Sequence, residues 1–183
     1  MNWTLPGTIR TVKREDAPYI DHHFNAMFLG GGIALSQITA ITGLEAYTIQ
    51  NWVKRGFLPA PEHKRYNINQ LCRILTINLL KRTLLMEQIC GLLGYINGDL
   101  ADTSDDIIDD SRLYFMFVKL AAAASSLHDP NEADEAIHTA LSDDREPFPG
   151  AKERVAKVLK VMLVAWIAAK LHEAAEHMVT ELT

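Results

Sequence analysis

Apolar residues in this chain recur at helical spacing, and glycine or proline marks where each run stops. Leu35, Ile38 and Ile41 lie three residues apart, and Gly43 stands where a C-terminal glycine ends a short helix. A second helix is predicted over residues 46–55, burying Ile49, Trp52 and Val53; Gly56 closes it and Pro59-Ala60-Pro61 forbids its continuation. Two short helices joined by a turn around Gly43-Leu44-Glu45 make a helix-turn-helix pattern. A third helix over residues 69–81 repeats Leu71, Ile74, Leu75 and Ile77, and a fourth over 86–95 repeats Ile89, Leu92 and Leu93.

The second half of the chain is helical too. Ser111 is placed to cap a helix over residues 113–127, Asp129-Pro130-Asn131 opens another that ends near Leu141, and residues 143–150, with Pro147 and Pro149, form a loop. A last helix over residues 151–182 would be roughly 48 Å long. Its middle, residues 161–169, is apolar all round, so it needs cover on most sides from its own bundle or from a second subunit. Residues 1–32 read as a mixed leader, with an amphipathic turn or two near residues 21–29 and a hinge at Gly30-Gly31-Gly32. That glycine run lacks the GxxxxGK[ST] spacing of a phosphate loop. No stretch alternates as strands do. The expected fold is all-α: leader 1–32, helix-turn-helix head 33–98, helical-bundle tail 99–183.

Composition narrows the class. The 183 residues are 48% hydrophobic and 22% charged, enough for a packed core and without the signature of disorder. Two cysteines, Cys72 and Cys90, cannot staple a fold of this size. The longest apolar run has nine residues, against the roughly 20 needed to span a bilayer. The first residues lack the basic and apolar regions of a signal peptide. A cytoplasmic setting without membrane association is the expectation.

The net charge of -5 hides a division: residues 50–98 hold seven basic and two acidic side chains, residues 99–149 three basic and thirteen acidic. A basic block beside an acidic one points to two jobs, one of them with an anionic partner, unless both are merely solvated helix faces.

Residues 35–96 resemble the DNA-binding domain of MerR-type winged helix-turn-helix regulators. The likeness runs through Ser36-Gln37-Ile38-Thr39-Ala40-Ile41-Thr42-Gly43, Tyr47-Thr48-Ile49-Gln50-Asn51-Trp52, Gly56-Phe57-Leu58-Pro59, and Tyr66 with Asn69-Gln70-Leu71 and Ile74, in the family's order. Residues 84–93 resemble its fourth helix. The stretch 58–66 is shorter than the usual wing, which implies an abbreviated one. The whole chain is also similar to a Gram-positive bacterial family, catalogued as a domain of unknown function, that joins such a head to a helical tail. The resemblance implies sequence-specific binding of double-stranded DNA by a dimeric, non-catalytic repressor.

The residues themselves fit that chemistry. With Ile49 and Trp52 inward, Tyr47, Gln50, Asn51 and Lys54 fall on the outward arc of the second helix. Gln and Asn pair bidentately with adenine in the major groove, and Lys reaches phosphate or guanine. Arg55, Lys64, Arg65, Arg73 and Arg82 are the expected backbone contacts, which position a protein without reading sequence. Leu159, Met162, Leu163, Trp166 and Ile167 are the expected tail core or dimer contact. The expected partners are duplex DNA and a second copy, with a small-molecule effector left open.

Other constellations are weaker. Cys72 and Cys90 lie among apolar neighbours without CxxC or Cys-His spacing, and read as buried, inert thiols. Asp21-His22-His23 reads as a solvated part of the leader, or as part of a phosphate-touching arm with Lys13 and Arg14. Asp105, Asp106, Asp109 and Asp110 would stack two carboxylate pairs on one helix, as a cap or a cation site. His172, Glu173, Glu176 and His177 could join His128, Glu135 and His138 in a carboxylate-bridged metal site. The bland reading, a solvated helix end, is preferred, and no metal or cofactor is expected. Ser125 and Ser126 carry no GxSxG motif. The rival functions are a protein-binding adaptor with a degenerate head and a metal-dependent enzyme in the tail.

Overall fold

In a computed structural model, described over residues 2–100, 102, 104–124, 132–142 and 146–182, the helices expected of the head form within a few residues of their predicted bounds. They are α2 (Leu35–Thr42), α3 (Ala46–Lys54), α4 (Ile68–Leu80) and α5 (Met86–Asn97), preceded by α1 (Ile20–Met27). Three of them begin with one device. A glutamine in the first turn folds back to accept the amide N–H of the residue before the helix: Gln37 from Ala34 at 2.8 Å, Gln70 from Asn67 at 2.8 Å and Gln88 from Leu85 at 2.9 Å. Only Asn67 can reciprocate, its Oδ1 accepting from the Gln70 amide at 2.9 Å, and so completes a capping box. Gly43 ends α2 in the left-handed region at φ 72°, as its position foretells.

Three further helices follow: α6 (Asp110–Ala123), α7 (Glu132–Ala140) and α8 (Ala151–Glu181). Among the described residues α4 packs most extensively on α6, and α8 packs on α4, α5, α6 and α7. Ser111 is not the cap of α6. Asp109 occupies the residue before the helix, and the Ser111 amide donates to Asn69 Oδ1 at 3.2 Å, tying α6 to α4.

Strands are present, contrary to the purely helical expectation. β1 (Asn2–Thr4) pairs antiparallel with β2 (Thr11–Lys13), setting Trp3 opposite Val12; β3 (Ile33–Ala34) pairs with β4 (Arg65–Tyr66), setting Ile33 opposite Tyr66. At two or three residues each they are too short for alternation to register in a sequence pattern. A 3₁₀ turn over Arg14–Tyr19 leads from β2 into α1.

The boundaries drawn at 32/33 and 98/99 separate stretches of chain, not cores. One apolar cluster takes Trp3, Leu5, Ile20 and Phe24 from the first stretch, Ile38, Ile49, Trp52 and Leu75 from the second, and Tyr114, Phe117, Leu159 and Met162 from the third. The Trp3 and Phe117 rings each meet Trp166 edge-on, with centroids 6.5 Å apart. Gly7 (φ 74°) presses on α4 so closely that a Cβ there would lie 2.2 Å from the Leu75 carbonyl oxygen. Nearby, Asn78 Nδ2 donates to the Gly7 oxygen at 2.8 Å, and the buried Tyr114 hydroxyl donates to the Pro6 oxygen at 2.8 Å. The first thirty residues are therefore a lining of the core. Gly30-Gly31-Gly32 is a turn that delivers the chain to β3.

No helix among the described residues is long and apolar enough to cross a membrane.

Candidate nucleic-acid interface

The turn between α2 and α3 is held from within. The Thr42 hydroxyl donates to the Ile38 oxygen at 2.8 Å and accepts from the Leu44 amide at 3.1 Å, while the Gly43 amide donates to the Thr39 oxygen at 2.9 Å. Leu44 is buried. These contacts fix the direction in which α3 leaves the turn, and with it the face that α3 presents.

That face is the expected one. Ile49 and Trp52 are buried in the core. Tyr47 (75% exposed), Gln50 and Lys54 point to solvent, with Asn51 half-buried between them. Positions 47, 50, 51 and 54 have the i, i+3, i+4, i+7 spacing of one helix face.

A tight hairpin lies beside α3. Glu62 bridges Arg65 antiparallel, the Arg65 amide donates to the Glu62 oxygen at 2.7 Å, and the central pair His63 and Lys64 have φ of 48° and 63°. Positive φ at both central residues is the geometry of a type I′ hairpin, usually reserved for Asn and Gly. Holding two non-glycine residues there costs on the order of 1–3 kcal/mol each. The result is an exposed tip of His63, Lys64 and Arg65. Arg65 turns part of its guanidinium inward, Nη1 donating to the Gly32 oxygen at 3.1 Å. The base of the hairpin is anchored too, since Gln70 Nε2 donates to the oxygens of Pro59 and Ala60 at 3.1 and 2.9 Å. A groove of about 460 Å³ between hairpin and helices is lined by Leu35, Gln50, Val53, Pro61, Lys64 and Tyr66. It brings Gln50 and Lys64, fourteen positions apart, to one surface. Arg55 is exposed at the end of α3, its guanidinium 4.7 Å over the Phe57 ring.

Arg73, an expected surface contact to the DNA backbone, is instead fully buried. Its Nε lies 2.9 Å from Asp110 Oδ2, its Nη1 donates to the Leu100 oxygen, and Asp106 Oδ2 stands 3.9 Å from Nη2. A helix run of Leu71, Cys72, Ile74 and Leu75 leaves no outward arc for position 73 once α6 covers α4. Arg82 is half-exposed, but its guanidinium is paired with Glu173 of α8.

The four aspartates do not share a helix. Asp105, Asp106 and Asp109 precede α6 and only Asp110 begins it. Asp106 and Asp110 supply Arg73's counter-charges, while Asp105 Oδ2 accepts from the Asp99 amide at 3.3 Å. Burial pushes the Asp106 carboxyl up to about 6, with Arg73 opposing and Asp110 adding to the rise. Asp110 is also raised by burial despite Arg73 beside it. Burial raises both thiols, Cys72 strongly, with Asp110 adding to Cys72 and Glu87 to Cys90. Neither is in a setting that favours thiolate.

In the tail, Leu159, Met162, Leu163 and Trp166 belong to the chain's own core, and Ile167 is half-buried against it. Glu173 pairs with Arg82 and Lys170, while His172 and His177 lie 3.4 and 3.3 Å from Glu176 and Glu181 on the same helix. Among the described residues no three His, Cys, Asp or Glu side chains gather as a metal site would require. Ser125, Ser126 and His128 lie outside the described residues, as does the start of the helix placed at Asp129.

A largely helical protein whose first hundred residues and α6 share one core is what this geometry defines. A family described as a domain of unknown function, DUF1836, matches residues 18–117, and the chain belongs to that family. The matched span runs from just before α1 well into α6, so it takes in both partners of the Arg73–Asp110 pair. The chain is also 31% identical over 86 residues to the Uncharacterized protein YkrK of Bacillus subtilis (strain 168). The similarity covers 45% of this chain and 37% of that relative's length. No solved structure matches.

Proposed function

We propose that the protein is a sequence-specific, double-stranded DNA-binding regulator of the MerR-like winged helix-turn-helix kind. It acts without catalysis, as a repressor that occupies its site. α2 and α3 are the helix-turn-helix, α3 is the reading helix, and the hairpin at Glu62–Arg65 is the abbreviated wing. The observation that carries the reading is the outward face of α3: Tyr47, Gln50, Asn51 and Lys54, next to a basic hairpin tip and free of apolar cover. Gln50 and Asn51 would meet base edges in the major groove, and Lys54, Arg55, Lys64 and Arg65 would meet phosphates. Glu62 is the one acidic side chain in the hairpin.

Selection of binding sites from a random duplex library tests this. Wild type should enrich a defined sequence, and Asn51→Ala should relax preference at one base pair by about 1–3 kcal/mol with the melting temperature held. Enrichment of no sequence by wild type, or an unchanged preference in a folded Asn51→Ala protein, would overturn the assignment of α3 as the reader.

A further inference from the structure

The first thirty residues do more than line the core. β2, the 3₁₀ turn after it and α1 fold around the end of α2 and leave a half-open cavity of about 580 Å³. α1 turns Ile20, His23, Phe24 and Met27 toward it, the i, i+3, i+4, i+7 positions of one helix face. Its floor is apolar: Leu5, Ile20, Phe24 and Ile41 are all buried. The volume lies within the roughly 300–1,000 Å³ in which a small molecule buries most of its surface.

The remainder of the lining is charged. Arg10 and Lys13, both exposed, share it with the half-buried Asp16. The backbone around Arg10 is fixed, since the Leu5 amide donates to the Arg10 oxygen at 2.9 Å and the Arg10 amide donates to Thr8 Oγ1 at 2.9 Å. Among the described residues no acid pairs with the Arg10 guanidinium. Lys13 Nζ lies 3.5 Å from Glu15 with both side chains largely in water, a contact that adds little and is readily exchanged. Two cations against one acid leave the lining positive beside an apolar floor.

We propose that this pocket binds a small amphipathic anion, a medium-chain monocarboxylate. Its chain lies against Leu5, Ile20, Phe24 and Ile41, and its head meets Arg10 and Lys13. A carboxylate accepts two parallel hydrogen bonds from a guanidinium, which an uncharged head cannot match. A cationic head would bring like charge to Arg10 and Lys13, and Asp16 disfavours a head with two negative charges. The occupant touches both the leader and α2, which the Ile9 amide already joins by donating to the Ile41 oxygen at 3.0 Å.

Calorimetric titration of the full chain with octanoate, below its micelle concentration and without DNA, tests this. Wild type should take one octanoate per chain. It should bind 1-octanol and octyltrimethylammonium at least about tenfold more weakly, the loss of one hydrogen bond between charged groups. Arg10→Ala with Lys13→Ala should weaken octanoate by about the same factor and leave octanol unchanged. Both side chains are exposed, and an unchanged melting temperature checks that the double variant stays folded. Wild type that binds no octanoate at millimolar concentration overturns the proposal, as does equal affinity for octanol or for the ammonium. A folded double variant that holds octanoate as wild type does overturns it too, by putting the head group elsewhere. Because no DNA is present, failure of the regulator reading would leave this result unchanged.

Discussion

Two parts of the same basic stretch, the α3–hairpin face and the α4–α6 seam, use positive charge in opposite ways. On α3 and the hairpin, Lys54, Arg55, Lys64 and Arg65 are exposed, at a surface where ions are screened and pairing adds little to stability. On α4, twenty residues or fewer away, Arg73 is sealed from water by α6 and the chain around Leu100, and meets two aspartates and a carbonyl. The exposed group is available to a phosphate. The buried one is a staple between the two halves of the chain, and its charge is already neutralised. Net charge along a sequence therefore overstates what can face DNA: the +5 of residues 50–98 includes one cation that never reaches solvent and another, Arg82, that is shared with Glu173.

The largest expected effect lies at the seam. Asp110→Ala strands Arg73 without its nearest counter-charge and should lower stability by about 3–5 kcal/mol in urea unfolding. Site preference measured on the remaining folded protein should be intact. A variant as stable as wild type would mean that the buried pair holds nothing together, and the contrast between the two regions would fail.

A middle-sized effect is expected at Asp106, with an unusual sign. Its folded value of about 6 lies above the ordinary 3.8, so the folded state binds its proton more tightly than the unfolded chain does. Stability from this group is present below pH 4 and is lost as pH rises through 6. Asp106→Asn should therefore flatten the pH dependence between 4 and 6. At pH 7 it should match or exceed wild type, by about 1–2 kcal/mol at most after screening by solvent. Thermal melts across that range check it, and a variant that loses stability at pH 7 as Asp110→Ala does would show that both aspartates are needed as anions.

The smallest effect on folding, and the one that sharpens the exposed side, is at the hairpin tip. Lys64→Ala should leave unfolding within about 0.5 kcal/mol of wild type. It should reduce the magnitude of the salt slope of DNA affinity by about one unit, with base preference retained. An unchanged slope would remove the hairpin from the interface.

What the sequence by itself determined is local. Helical periodicity located each helix of the head, Gly43 and Pro59-Ala60-Pro61 set ends, and the 49/52 against 47/50/51/54 split of α3 followed from 100° per residue. These are short-range rules of backbone sterics and side-chain spacing, and they act the same way in any fold. The capping glutamines Gln37, Gln70 and Gln88 each stand three residues after the amide they cap, but Ala34 and Leu85 are poor caps on their own and leave no signature for two of the three. Tertiary structure decided everything that depends on what lies across a gap. Arg73 looks like its neighbour Arg82 until α6 arrives, because burial is a property of two elements and spacing belongs to one. The first thirty residues carry no pattern that marks them as core, since strands of three residues are held by register with a partner and not by their own periodicity. The apolar girdle of α8 called for cover from its own bundle or a second subunit, but only the packed bundle could say which side the chain itself covers: that of Leu159, Met162, Leu163 and Trp166.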